Sequence, residues 1–135
     1  YRRLFAYVPQ GNHLMSGTIE QVVSFGEPEP DPGKIENALK VACALDFVKN
    51  LPEGIQTSLL EGGAGLSEGQ MQRIAVARAI YSDCPVLLLD ESTSALDENT
   101  ERQLLENLRK MTDKTVVIVT HRKAALTFCD RCLRV

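Results

Sequence analysis

The sequence predicts an α/β fold built around a parallel β-sheet, and three observations support this class. The apolar run at 86–89 is typical of a strand that is covered on both faces, and it ends in two neighbouring acids. A helical segment separates it from a second apolar run at 115–119, as in the crossover that joins two parallel strands. Ser67 and Gln70 have the spacing of a capping box ahead of a long helix. Helices beside a parallel sheet account for all three.

Length and composition fit one globular unit. The 135 residues are 44% hydrophobic, which is enough for a core, and 15 basic against 18 acidic residues give a net charge of -3. No block of lysines and arginines indicates a nucleic-acid surface, so we expect no nucleic-acid partner. The longest apolar runs, 86–89 and 116–119, are far shorter than the ~20 residues that span a bilayer.

The first predicted strand covers residues 4–8, where Pro9 halts it. Gln10 follows in a polar turn at the end of this strand. Taken alone, Gln10 is most simply a solvated turn residue.

Helices are predicted next. Ser16 or Thr18 can cap a short helix at 19–23, and a proline-rich loop follows it. Apolar positions at helical spacing predict a further helix from Lys34 and another across 45–51.

The longest predicted helix begins after Ser67. Ser67 can cap it while Gln70 reaches back to the cap. The first-turn amides of a helix have no internal partners, and the helix dipole adds to them, so this end can bind an anion such as a nucleotide phosphate. Apolar residues at helical spacing predict one face packed in the core. We expect Arg73 and Arg78 on the same helix to form ion pairs.

Two acids, Asp90 and Glu91, end the apolar strand at 86–89. Side chains alternate along a strand, so we expect the two carboxylates to point in different directions. Such a pair could be the start of a solvated loop, but the all-apolar strand places it at the carboxyl edge of the sheet, where open parallel sheets bind ligands.

A helix near 100–111 and a second buried strand at 115–119 follow. If this strand lies parallel to the first, His121 arrives at the same edge of the sheet as Glu91. A lone histidine would be a weak signal, but its place after a buried strand makes it a candidate.

Five short motifs, in register along the chain, carry a family resemblance. The LSEGQ at 66–70 resembles a signature motif, 86–91 a Walker B strand, and 94–97 a D-loop. Gln10 is similar to a Q-loop glutamine and His121 to a switch histidine. Together they resemble the ATP-binding cassette (ABC) ATPases over the whole chain. The resemblance implies a partial P-loop NTPase, with a RecA-like parallel sheet core and an inserted α-helical subdomain.

Two further segments resemble the exporter branch of this family: LPEG at 51–54, and Glu61 with two glycines just before the signature. In exporters the second segment touches the coupling helices of the transmembrane domain. The resemblance therefore implies an exporter at the cytoplasmic face of a membrane, whose cassette hydrolyses ATP to drive transport of an unknown substrate.

The resemblance also implies a role for each residue at the cassette's own ATP site. Asp90 would hold Mg²⁺, usually through water, and Gln10 would meet the magnesium and the attacking water. Glu91 would be the general base, and His121 would contact the terminal phosphate.

A second group would serve ATP held by a partner cassette. In this family two cassettes pair head to tail, so that the signature of one closes over the nucleotide of the other. The resemblance implies nucleotide contacts for Ser67, Glu68, Gly69, Gln70 and Asp97. Glu68 departs from the more common LSGGQ, because it places a carboxylate where glycine lets the backbone approach phosphate.

No GxxxxGK[ST] phosphate loop occurs in the sequence, which opens on Tyr1 in what would be the middle of a cassette. We therefore expect the C-terminal part of a cassette, inactive on its own. Residues 1–10 and 83–135 would belong to the ATPase core, and 11–82 to the Q-loop and helical (signature) subdomain.

Two alternatives remain open: a soluble cassette ATPase that acts on DNA or ribosomes, and a non-catalytic assembly module. A zinc site at Cys129 and Cys132 is disfavoured, because the second pair of ligands that such sites need does not accompany them.

Overall fold

The computed structural model describes residues 5–8, 17–24, 28–59, 66–82, 84–91, 95–111 and 114–120. None of the helices in these ranges has the length and apolar content needed to span a membrane. In chain order, the elements are β1 (Phe5–Val8), β2 (Gly17–Thr18), α1 (Ile19–Val23), α2 (Pro32–Val41), α3 (Leu45–Lys49), a 3₁₀ turn (Gly54–Gln56), β3 (Ser58–Leu59), α4 (Glu68–Tyr81), β4 (Val86–Asp90), α5 (Glu98–Arg109) and β5 (Thr115–Val119).

Strand β4 lies at the centre of a three-stranded parallel sheet with the order β1-β4-β5. The register aligns Val8 with Leu89 and Leu89 with Ile118, so the carboxyl ends of the three strands meet at one edge. Asp90 extends this row opposite Val119. The predicted parallel sheet, and the strand-helix-strand crossover through α5, are confirmed.

The two faces of this sheet differ in burial. Leu87 and Leu89 point to one face and are 0% and 1% exposed, whereas Val117 and Val119 point to the other and are 44% and 48% exposed. The prediction of a second buried strand at 115–119 is therefore wrong on this face for the described residues, whereas Leu88, on the same face of β4, is half-buried. An apolar run is typical of a strand that is covered on both faces of the sheet, but it does not show which residues cover each face.

Local capping sets where the first helices begin. Thr18 caps α1 through a capping box, as one of the two predicted caps. Helix α2 begins at Pro32, earlier than the predicted Lys34. The Asp31 carboxylate accepts from the N–H groups of Gly33 and Lys34 at 3.0 and 3.3 Å, and proline is well suited to the first helical position.

Helix α4 is the central helix of the described chain. Its buried residues, which include Met71, Ile74, Val76, Ala77 and Ala79, surround the whole helix instead of forming one stripe. It packs against α1, α2 and β1. The predicted core-facing side is confirmed, since Ile74, Ala77 and Tyr81 are buried, and the structure buries other sides of the helix as well. Helix α4 therefore joins the helical region to the sheet.

Helix α5 begins and ends about two residues before the predicted helix near 100–111. Leu104, Leu105 and Leu108 are buried as expected, and Met111 packs partly buried against the core. The charged Glu101 is also buried, which sequence periodicity did not indicate.

Candidate functional site

The start of α4 has the geometry that its sequence predicts. The Ser67 hydroxyl accepts from the N–H of Gln70 at 3.1 Å, and the Gln70 side-chain oxygen accepts from the N–H of Ser67 at 2.9 Å. The first bond within the helix is Met71 N–H to the Ser67 carbonyl, so the N–H groups of Glu68 and Gly69 precede the helical ladder. Ser67 and Glu68 are exposed. This end can present a hydroxyl, amides and the positive end of the dipole to an anion.

Gly69 is buried against the loop that precedes α5. A Cβ at this position would lie 2.8 Å from the Ala95 carbonyl oxygen and 3.4 Å from a methyl group of Leu96. Only glycine permits this approach without a shift of the loop. The loop therefore occupies the space that a side chain at position 69 would need, and any contact of Gly69 to a nucleotide must come from its backbone.

Gln72 is a site residue that the sequence analysis missed. Its side chain is 3% exposed, and its oxygen accepts from the N–H of Ala95 at 3.1 Å. Gln72 shares a helical face with Gly69 and Val76, which are both buried. An amide on an otherwise apolar face was the signal that could have found it, because a buried polar group needs a partner.

Arg73, the next residue, contacts a different part of the protein. Its guanidinium donates to the Cys43 carbonyl at 3.0 Å and to the Gly69 carbonyl at 3.3 Å, and it lies 4.8 Å from the centre of the Phe47 ring. Burial lowers the pKa of Arg73. Among the described residues it therefore contacts carbonyls and a ring, and the ion pair that we predicted for it is wrong.

Asp90 lies where the sequence predicts, at the carboxyl end of the central strand. The Tyr7 hydroxyl on β1 donates to the Asp90 carboxylate at 3.0 Å. This hydrogen bond raises the pKa of Tyr7, since it stabilises the protonated phenol. The sequence analysis did not predict this contact; along the ladder Tyr7 pairs with Leu88, two residues before Asp90.

Glu91 leaves the strand with a left-handed backbone, at a φ of 49°. For a residue other than glycine this conformation costs about 1–2 kcal/mol. The Glu91 N–H donates to the Val119 carbonyl at 2.8 Å, which helps to hold it. Simple strand alternation therefore does not set the direction of the Glu91 side chain. A strained backbone held by its surroundings is a feature that clusters at functional sites.

Asp97 caps α5. Its carboxylate accepts from the N–H of Thr100 at 3.2 Å and from the Thr100 hydroxyl at 2.5 Å. These bonds lower the pKa of Asp97, because they stabilise the charged form. The structure thus gives Asp97 a role at a helix end, and its predicted nucleotide contact stays a prediction.

Other predicted residues lie outside the described residues: Gln10, Glu61, His121, Cys129 and Cys132. In the sequence, Gln10 follows β1 and His121 follows β5. Both strands flank β4 and end at the same edge of the sheet as Asp90.

The donor chemistry at this edge fits Mg²⁺. Mg²⁺ prefers oxygen ligands and takes one or two protein carboxylates, with phosphate oxygens and water completing its shell. Asp90 supplies one such carboxylate at the half-buried end of β4. Among the described residues there is no cluster of three or more metal-ligating side chains.

The chain matches the family model described as ABC transporter over residues 1–94, and it belongs to that family. Among curated relatives it is 42% identical over 134 residues to an ATP-dependent lipid A-core flippase of Cupriavidus pinatubonensis. It is 44% identical to the flippase of the same name from Xanthomonas axonopodis pv. citri and 43% identical to that of Vibrio cholerae.

These alignments cover 96–98% of this chain but 23% of each relative, so the chain spans about a quarter of their length. Among solved structures it is similar to one described as a bacterial Atm1-family ABC exporter with ATP bound. That match has a TM-score of 0.84 and 34% identity, and covers 93% of this chain and 22% of the other. The resemblance inferred from the five motifs and the P-loop NTPase fold are confirmed.

Proposed function

We propose that this chain is the C-terminal part of the ATP-binding cassette of an ABC exporter, which hydrolyses ATP at the cytoplasmic face of a membrane to drive transport. One observation carries the proposal: Asp90 and Glu91 leave the central parallel strand at the edge where all three strands end. The similarity to flippases and to an exporter supports transport over the alternative of a soluble cassette ATPase.

At the cassette's own site, the Asp90 carboxylate would hold Mg²⁺. When bound, the ion supplies positive charge to the phosphate oxygens. Glu91 accepts the proton of the water that attacks the terminal phosphate, which requires a carboxylate that is not already protonated. Gln10 positions this water, and His121 contacts the terminal phosphate.

At the partner's site, α4 offers its N-terminus. The Ser67 hydroxyl and the free first-turn amides bind the phosphate of ATP held by a second cassette, and Gln70 keeps the cap in place. Glu68, Gly69 and Asp97 lie beside the same nucleotide. Residues 11–82 form the unit that also contacts the transmembrane domain, and residues 1–10 and 83–135 belong to the core.

The test is ATP hydrolysis by the longer protein that contains this chain. Glu91→Gln keeps the size of the side chain but removes the base, so turnover should fall by about 10²–10⁴ while ATP binding persists. Glu106→Gln is the control, because the side-chain contact of Glu106 with the described residues is an exposed ion pair with Lys110 on α5. Unchanged turnover in Glu91→Gln would refute the assignment of the base. Membrane fractionation of the same protein separates an exporter from a soluble ATPase.

A further inference from the structure

We propose that Gln72 is a positioning residue that fixes the loop after the catalytic acids to the helix that carries Ser67. The proposal rests on the function proposed above, because it assigns Ser67 to a partner's nucleotide and Glu91 to the reaction. It concerns how these two ends of one cassette are held relative to each other.

The first step is the contact between α4 and the loop at 95–97. The buried Gln72 accepts from the N–H of Ala95 at 3.1 Å. One turn earlier, Gly69 lets the Ala95 carbonyl approach to within 2.8 Å of the place a Cβ would take. Leu96 is 6% exposed and packs beside the same glycine. Both polar backbone groups of Ala95 therefore face the first turns of α4, and Gln72 satisfies the donor.

The second step is that α4 is held from its other side as well. Arg73 donates to the Cys43 carbonyl in the turn after α2 and lies over the Phe47 ring of α3. Neighbouring residues on α4 thus bind two different parts of the protein. Arg73 binds the helical region, and Gln72 binds the loop that comes from the sheet.

The third step is the short path from Ala95 to Glu91. Only residues 92–94 separate them, and the Glu91 N–H is itself held by the Val119 carbonyl. After Ala95, Asp97 begins α5. Because Glu91 and Ala95 are each held by a hydrogen bond from the backbone N–H and three residues separate them in the sequence, the position of one restricts the position of the other. When Ser67 binds a partner's nucleotide, Ala95 moves with α4 because Gln72 holds it there. The position of Glu91 then follows that of Ala95.

The test compares steady-state kcat and KM for ATP in the longer protein. Gln72→Met keeps the length and burial of the side chain but removes the acceptor. Gln72→Asn keeps the amide but is one methylene too short to reach Ala95, and it carries the test if Gln72→Met does not fold. Gln72→Glu keeps an acceptor oxygen at the same distance. Gln103→Met is the control, since Gln103 is exposed on α5 and, within the part of the chain that the structure describes, its side chain donates to Asn107.

We expect Gln72→Met and Gln72→Asn to lower kcat about tenfold, equivalent to about 1.4 kcal/mol in the barrier, with KM changed less than about twofold. Gln72→Glu should restore kcat to within about threefold of wild type, and Gln103→Met should match wild type. Wild-type kcat in Gln72→Asn, an equal loss in Gln72→Glu, or a rise in KM that matches the fall in kcat would each overturn the proposal. If the wild-type protein does not hydrolyse ATP, the proposed function fails instead.

Discussion

Substitution of Gly69 by alanine tests the packing of α4 against the loop before α5. The added Cβ would lie 2.8 Å from the Ala95 carbonyl oxygen, closer than side-chain carbons approach an oxygen, and a backbone atom cannot rotate away. Overpacking of this kind costs about 1–3 kcal/mol. The gain in helix propensity from glycine to alanine offsets this by at most about 1 kcal/mol.

Gly33 provides a matched control. Like Gly69, it is the second residue of its helix, but among the described residues a Cβ there would meet a side-chain oxygen of Asp31 at 3.5 Å and nothing closer. Gly33→Ala should therefore keep the propensity gain without the clash, and leave stability unchanged or raised. The two substitutions should differ by about 1–3 kcal/mol in the free energy of unfolding, with Gly69→Ala the less stable.

The assay is thermal unfolding followed by circular dichroism. For a domain of this size, 1 kcal/mol corresponds to about 4 °C, so the melting temperature of Gly69→Ala should lie about 4–12 °C below that of Gly33→Ala. Equal melting temperatures would show that the loop at 95–97 does not pack on α4 as described.

Three further predictions concern the same site. Glu68→Gly should modestly strengthen ATP-dependent cassette pairing, because it removes a negative charge near phosphate, and should lower the melting temperature; weaker pairing would show that Glu68 does not oppose the nucleotide. Asp97→Ala should lower the melting temperature at pH 7. The folded pKa of Asp97 is lowered, so the stability that Asp97 contributes is present above the unfolded pKa of about 3.8 and is lost as pH falls through the folded pKa. A difference in melting temperature between wild type and Asp97→Ala that persists below the folded pKa would contradict the cap. The 135-residue chain alone should neither bind ATP tightly nor hydrolyse it, because no phosphate loop occurs in it; calorimetry that finds low-micromolar affinity together with turnover would contradict this.

The site features that the sequence predicted correctly follow from patterns within short stretches of the chain. Ser67 and Gln70 are three residues apart, and their side chains bond each other's backbone without help from the rest of the protein. Asp90 was placed because apolar runs and strand direction alone put it at a sheet edge. Such signals survive folding because they depend on spacing of a few residues.

The features that the sequence analysis missed depend on distant parts of the chain. The bond between Gln72 and Ala95 joins positions 23 apart, and the bond between Tyr7 and Asp90 joins positions 83 apart. The left-handed backbone of Glu91 carries no sequence signal, since glutamate rarely adopts it. The open face at Val117 was missed because apolar strands look alike whether or not a second layer covers them.

The central claim is that Glu91 of one cassette and Ser67 of another act on the same nucleotide. Two tagged copies of the longer protein can be paired so that Glu91→Gln and Ser67→Arg lie either on the same copy or on different copies. If each ATP site takes Glu91 from one copy and Ser67 from the other, one site stays intact when the two substitutions lie on different copies. Neither site stays intact when both substitutions lie on the same copy. Single-turnover ATP hydrolysis should therefore be at least about tenfold faster in the different-copy pair, as expected for loss of a general base. Equal rates in the two pairs, or faster hydrolysis in the same-copy pair, would contradict the account.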